Sequence, residues 1–531
     1  MKNAGVAAIL ALATVVVFVP SLGHPFVMYD DPAYVTDNPQ VLRGLTADGV
    51  RWAFAEGAES NWHPLTWLSH MADVSLFGVT PAPMRFVNVA IHAASAALLF
   101  LVLAAATGSR GSAAFAAAFF AIHPLRVESV VWISERKDVL CVLFVLLAAF
   151  AHVKYAKAPG PGRYWTVLAA SACALMSKPM AVTLPVLLLL LDLWPLGRRE
   201  RGAKALLLEK APLAVLAAAC AVVTYLVQRE GGAMALLGDL PLGVRVANAV
   251  VAVATYVRDT AWPCGLAVIY PYPPGGPGAL AVVIASALVA AATGSAIALR
   301  RRMPSLAFGW AWFLVALLPV LGFVQIGGQS HADRYTYLPG IGLAVAIAWI
   351  GGAVAGRSPG AARAVAGAGA AVLVALGTAT VVQQRHWRGD DALFRRAVEV
   401  TRDNYVAHHN LSVALAREGR FGEAVPHHLA AIRAGAGYGD AFKFHRAFAD
   451  TLVRLGRIGE AAAQYREALA LEPGDARSMN DLAICLGRLG DLDGAVAVYE
   501  RAVAMHPDDA KLRENLAAAR GIRERVRAGR E

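Results

Sequence analysis

The sequence predicts an all-α protein in two parts, a polytopic helical domain crossing a membrane about eleven times followed by an α-solenoid of short helical repeats. Hydrophobic residues make up 57% of the chain and charged residues 16%, with a mean hydropathy of +0.50, values that exclude an ordinary soluble globular protein of this length. Apolar stretches of span length recur through the first two thirds, and a helical repeat with a fixed period fills the charged remainder after about Gln383.

The expected spans lie near residues 5–21, 86–107, 111–131, 138–156, 164–177, 179–195, 211–228, 279–299, 305–325, 335–355 and 362–382. The stretch from Val246 to Trp262 is interrupted by Arg258 and Asp259 and preceded by Arg245. Cationic clusters favour the cytoplasmic side. Lys2, Lys154 with Lys157 and Arg163, Arg198 to Lys210, Arg300 to Arg302, and Arg357 with Arg363 all fall on one side only if Val246 to Trp262 does not cross. That stretch therefore reads as an interfacial or re-entrant helix, and the repeats are expected outside the cytoplasm of a multi-pass inner-membrane protein. Ser21, Leu22 and Gly23 make a poor cleavage site, so the first helix is expected to remain. Five cysteines, Cys141, Cys173, Cys220, Cys264 and Cys485, have neither metal-ligand spacing nor a paired pattern.

The membrane domain is expected over 1–383, with a long first extracytoplasmic loop at 22–85. Beyond it, Gly456, Ala461, Tyr465, Ala468 and Pro473 recur as Gly490, Ala495, Tyr499, Ala502 and Pro507, each 34 residues on, which is the tetratricopeptide period. Small alanines let paired helices approach, and proline ends the second helix. An earlier copy runs through Leu411, Leu415, Gly419, Ala424 and Ala431, with a three-residue insertion before the next. The 384–531 domain thus divides into a half-repeat at 384–404 carrying Trp387, Phe394 and Ala397, repeats at 405–438, 442–475 and 476–509, and a cap. First helices of such pairs line a concave face that takes extended peptides. Here that face receives Arg417, Lys443, Arg446, Arg454, Arg477, Asn480 and Arg488, a basic groove for an anionic partner segment or else a solvated surface of a basic protein.

Chemistry is expected in the extracytoplasmic loops. The first contains VMYDDPAYVTDNPQV and NWHPLTWLSH, and the same face receives HPLRVESVVWISERKD from His123 to Asp138, SKP from Ser177 to Pro179, and HADRYTYLP from His331 to Pro339. Each motif has a plain structural explanation. Asp30 and Asp31 could cap a helix beginning at Pro32. His123 with Pro124 could mark a kink, Ser134 to Asp138 a capped helix start, Lys178 a snorkelling cation, and Arg334 a helix anchor. Their convergence on one face favours a site. Arg136, Lys137, Lys178 and Arg334, with His123 and Arg126, are suited to charge growing on a departing phosphate. A carboxylate is suited to take a proton from an acceptor hydroxyl, and Asp30 fits, with Asp31 as alternative or orienting ligand. His63, Glu135, Asp138 and Tyr335 are further candidates on the same loops.

These motifs resemble the bacterial membrane proteins related to the transmembrane and tetratricopeptide repeat-containing O-mannosyltransferases of the GT-C glycosyltransferase superfamily. The resemblance rests on YDD at Tyr29 to Asp31, HPLT at His63 to Thr66, NVAIH at Asn88 to His92, AIHPLRVESV at Ala121 to Val130, ERKDVL at Glu135 to Leu140, SKPMAVTLP at Ser177 to Pro185, YPYP at Tyr270 to Pro273 and ADRYTYLP at Ala332 to Pro339. It implies a GT-C-like membrane domain and transfer of a sugar, mannose or another hexose, from a polyprenyl-phosphate donor to a protein Ser/Thr hydroxyl on the extracytoplasmic side, with inversion. It also implies that the first acid of the pair, Asp30, is the base. The chain has Asp31 where related mannosyltransferases have Glu, and His63 where many have arginine. No cofactor is fixed by the motifs, the need for a divalent metal stays open, and no nucleic-acid partner is expected. A membrane-anchored repeat scaffold for envelope proteins, and a transferase acting on a glycan or lipid, are the competing readings.

Overall fold

The computed structural model describes residues 2–231, 241–273, 275–322, 328–435 and 441–529, nearly all of whose regular structure is helical. Two compact units form, Met1–Ala392 and Leu393–Glu531, so the division falls beyond the boundary expected at 383/384.

In the first unit a helical segment stands at each of the eleven expected positions, although residues 323–325 of one lie outside the described residues. Among the described residues, six helices are long and apolar enough to cross a membrane: Asn3–Gly23, Pro81–Thr107, Ile133–Lys157, Ala203–Glu230, Ala279–Leu299 and Pro359–Trp387. The expected 111–131 span is a bent pair, Arg110–Ile122 and Pro124–Val131, at 59° to each other, and would make a seventh. The bend has a local cause: Pro124 cannot donate to the helix ladder, and the His123 Nδ1 instead accepts from the Leu125 N–H at 3.2 Å. Pro179–Leu193, Pro304–Val320 and Gly340–Ala355 are shorter apolar helices. Leu242–Ala261, which contains most of the ambiguous stretch, is one unbroken helix with no re-entrant break.

Proline opens many of these helices at the first turn, as at Pro64, Pro81, Pro161, Pro304 and Pro359, where its missing N–H costs no hydrogen bond. Close packing of Pro304–Leu317 against Gly340–Ala355 depends on two glycines. A Cβ on Gly309 would strike the Gly342 carbonyl, and one on Gly342 would strike the Gly309 carbonyl. A small antiparallel ladder pairs Tyr270 with His331 and Pro271 with Gln329, fixing two distant loops together.

The second unit is a stack of antiparallel helix pairs: Tyr405–Arg417 with Phe421–Gly435, Ala441–Arg454 with Ile458–Leu471, and Ala476–Arg488 with Leu492–Met505, closed by Ala510–Ala528. The repeat alanines and tyrosines Ala461, Tyr465, Ala468, Ala495, Tyr499 and Ala502 are all buried. Gly419, Gly456 and Gly490 take φ of +78°, +75° and +85° at the turn inside each pair, which explains their recurrence. The place between repeats where the insertion is expected, 436–440, lies outside the described residues.

Candidate active site

The carboxylate pair is held by a turn that the sequence alone does not announce. Asp31 is fully buried and does not cap the short Pro32–Thr36 helix. Its Oδ2 accepts from the Val27 N–H at 2.8 Å, and its Oδ1 accepts from the Ser134 N–H at 3.0 Å and from the Ser134 hydroxyl. This carboxylate therefore ties the first loop to the Trp132–Glu135 turn. Burial pushes its pKa up to about 6, against the pull of the Ser134 and Val27 hydrogen bonds. Arg85 adds a second tie, donating to the carbonyls of Val131 at 2.8 Å, His24 at 2.5 Å and Pro25 at 2.8 Å. Tyr29 stacks on Trp132 with ring centres 5.7 Å apart.

Asp30 is thereby turned the other way, into a cavity of about 460 Å³. Among the described residues no group donates a hydrogen bond to its carboxylate. Burial raises its pKa and Lys137 opposes the rise. The same cavity is lined by His63, Glu135, Lys137, Lys178, Arg334 and Tyr335. The three cation heads are arranged around Glu135, whose oxygens lie 3.2 Å from the Lys137 Nζ, 3.5 Å from the Lys178 Nζ and 3.4 Å from the Arg334 Nε. Lys178 also pairs with Asp138 at 2.5 Å, and Arg334 with Glu128. Aromatic rings fix the cations further: Lys137 lies 4.5 Å over Tyr34, and Arg334 lies 5.6 Å over Trp132.

Other expected donor-site residues are placed elsewhere. Arg136 is fully buried, donating to Asn88, to Ser69 at 2.6 Å, to the Met84 carbonyl at 2.7 Å and to Asp73 at 2.6 Å, so its guanidinium belongs to the scaffold behind the cavity. Arg126 donates to the Thr336 carbonyl at 2.7 Å and hydroxyl at 3.0 Å. His123 reaches the Thr260 carbonyl at 3.0 Å. Asp138 does not line the cavity but touches two residues that do, Lys178 and Glu135, and its Oδ2 accepts from the Ser129 hydroxyl at 3.0 Å. Neither ring nitrogen of buried His63 has a partner among the described residues, and burial with nearby Lys137 and Lys178 holds its pKa well below the usual histidine range.

Sequence reasoning left out several liners, among them Asn61, Gln228, Tyr272 and Gln329. Asn61 and Tyr272 stand inside NWHPLT and YPYP, motifs already singled out, whereas Gln228 sits with Arg229 and Glu230 at the polar end of a long apolar helix and belongs to no motif. Glu128, the partner of Arg334, is inside HPLRVESV, where its position gives no sign of that pairing. Among the described residues the one His and carboxylate group close enough to hold a metal is His152, Asp192 and Glu209, away from the cavity. Arg198 and Lys210 already neutralise it through ion pairs of 2.6–2.7 Å.

On the repeats, Arg446 and Arg477 pair with Asp475 at 3.1 Å and Asp450 at 2.9 Å, both across neighbouring pairs. Asn480 is engaged with Asp481 at 2.9 Å and Asn515 at 2.7 Å. Arg454 lies over Phe421, and Lys443 over Phe442. Arg417 and Arg488 stand in the last turns of their helices. Much of the basic groove is thus internally paired.

Residues 65–227 match the dolichyl-phosphate-mannose-protein mannosyltransferase family, and residues 446–510 match the tetratricopeptide repeat family. Protein O-mannosyl-transferase Tmtc1 of Drosophila melanogaster is 31% identical over 206 residues, 37% of this chain and 24% of that protein. The chain resembles the transmembrane and tetratricopeptide repeat O-mannosyltransferases. Mouse TMTC1 is 30% identical over 219 residues, 37% of this chain and 23% of its own length, so the chain spans about a quarter of the curated relatives it matches. A crystal structure of ArnT from Cupriavidus metallidurans bound to undecaprenyl phosphate is similar at 17% identity, covering 90% of this chain and 81% of that one with a TM-score of 0.36. The mannosyltransferase match takes in Glu135, Lys137 and Lys178, while Asp30 and Arg334 lie outside it.

Proposed function

We propose that the protein is a GT-C-type membrane glycosyltransferase that moves a sugar, mannose or another hexose, from a polyprenyl phosphate to a Ser or Thr hydroxyl of a protein, with inversion, on the extracytoplasmic side. The observation that carries this reading is the meeting of a half-buried Asp30, which accepts no hydrogen bond among the described residues, with Lys137, Lys178 and Arg334 around one cavity. The resemblance to O-mannosyltransferases supplies the sugar and the acceptor class.

In this reading the donor phosphate enters among the cations and replaces part of their bonding to Glu135. The acceptor oxygen forms a bond to the anomeric carbon as its proton passes to Asp30, and the bond from that carbon to the phosphate oxygen breaks. The electron pair leaves with the polyprenyl phosphate, whose extra charge Lys137, Lys178 and Arg334 stabilise. Holding both reactants in one cavity contributes orientation. The repeats would present the acceptor peptide. The test is transfer from polyprenyl-phosphate mannose and glucose to extracytoplasmic protein by the full chain in lipid. Asp30→Asn should lose at least about 100-fold in rate while inserting normally; wild-type turnover by this variant removes Asp30 from the mechanism.

A further inference from the structure

A second large cavity of the membrane unit, about 450 Å³, lies at the other ends of helices that wall the first. Pro179–Leu193 starts beside the Asp30 cavity at Pro179 and delivers Trp194 to the second. Pro304–Val320 starts at the second and finishes with Pro319 and Val320 at the first. At the helical rise this separates the two by roughly 25 Å, near the thickness of a hydrocarbon core.

The lining joins one guanidinium, Arg302, to the hydroxyl residues Ser109, Ser112 and Ser305 and the indoles of Trp194 and Trp349. Among the described residues, the Arg302 and Ser305 side chains have no hydrogen-bond or ion-pair partner, although Ser305 is only 6% exposed. Two helix N-termini also open here: the first N–H groups of Arg110–Ile122 have no partner within the helix, whereas in Pro304–Leu317 the proline has no N–H and the Leu306 N–H donates to the Met303 carbonyl at 3.1 Å, so that end offers the Ser305 N–H. Trp194 and Trp349 meet edge to face at 5.6 Å and form an aromatic wall of the kind found at membrane–water boundaries. Gly352 leaves room for the Ser112 hydroxyl in the lining, since a Cβ there would lie 2.7 Å from the Ser112 Oγ.

We propose that this cavity binds the phosphate of an anionic lipid headgroup. Arg302 supplies the counter-charge, Ser305 and the helix N-termini supply donors, and the two tryptophans face the glycerol and upper acyl chain. The same phosphate chemistry would accept inorganic phosphate, which has no use for the indoles. The full-length chain is therefore placed in phosphatidylcholine nanodiscs, titrated with phosphatidylglycerol, and its retained lipids counted by native mass spectrometry, with and without inorganic phosphate. Phosphatidylglycerol should be retained over phosphatidylcholine, and Arg302→Gln should raise its half-saturation about tenfold, with Ser305→Ala adding to the loss. Weak competition by inorganic phosphate supports the lipid, whereas complete displacement overturns the lipid assignment in favour of soluble phosphate. Equal retention of phosphatidylcholine, or an Arg302→Gln/Ser305→Ala double variant that retains phosphatidylglycerol as wild type does, overturns the site. Arg302 is exposed, so loss of folding is not the expected effect of replacing it.

Discussion

Asp30 and Asp31 are adjacent, yet their environments divide them, one carboxylate open to a cavity and the other closed by three donors. Under the proposed mechanism Asp30 must be ionised. Burial raises its pKa and Lys137 restrains it, so transfer should rise with pH along an acid limb. Lys137→Gln removes the restraining charge, and its limb should move to higher pH; a pH–rate profile unmoved from wild type would detach Lys137 from Asp30. Arg136 invites the opposite experiment. Its buried guanidinium faces Asp73, so Arg136→Ala should cost about 3–5 kcal/mol by leaving that carboxylate unpaired. Thermal unfolding in detergent would register the loss, whereas donor KM in the surviving folded fraction should change little. Sequence could assign cationic character to Arg136 and Lys137 alike. It could not see that consecutive positions at the start of one helix point about 100° apart, one into scaffold and one into the cavity.

At the scale of elements, the cavity depends on how closely two helices approach. Gly309 and Gly342 bring Pro304–Leu317 and Gly340–Ala355 together, and these helices carry Pro319 and Val320 on one side of the site and follow Arg334 and Tyr335 on the other. Gly342→Ala should drive the pair apart, lowering the unfolding temperature and reducing transfer, while Gly351→Ala on the same helix, whose added Cβ meets only ordinary contact at 3.6 Å, should do neither. Equal stability of the two variants would contradict the packing argument. Span positions were legible because an apolar run needs no partner to be recognised. Their division was less so: the 59° break at His123–Pro124 is foreshadowed by proline, but its size depends on what each half packs against.

For the whole molecule, the units divide at Ala392. Trp387 is 2% exposed with its ring 5.7 Å from Trp132, and Asp390 accepts from the Met28 N–H at 2.9 Å, so these residues belong to the membrane unit. Truncation after Ala392 should therefore preserve donor binding and reduce use of protein acceptors, measured with folded protein substrates and a short peptide side by side. A cut after Gln383 should also destabilise the first loop by removing Trp387 and Asp390. Unchanged acceptor preference after the Ala392 cut would count against recruitment by the repeats.

The sequence by itself determined the all-α class, the positions of the apolar helices, the repeat period and the motifs that contribute most of the first cavity. These are local or periodic properties, written in runs of apolar side chains and in small residues at fixed spacing. Tertiary structure alone decided which charged residues face the cavity and which are tied behind it, because that depends on partners such as Val27 and Ser134 for Asp31 or Asn88 and Asp73 for Arg136. It also decided the second cavity, whose Ser109, Trp194, Arg302 and Trp349 lie far apart in the chain and share no motif. Hydrogen bonds and ion pairs between distant segments have no period in sequence, and only the packed helices bring them within reach.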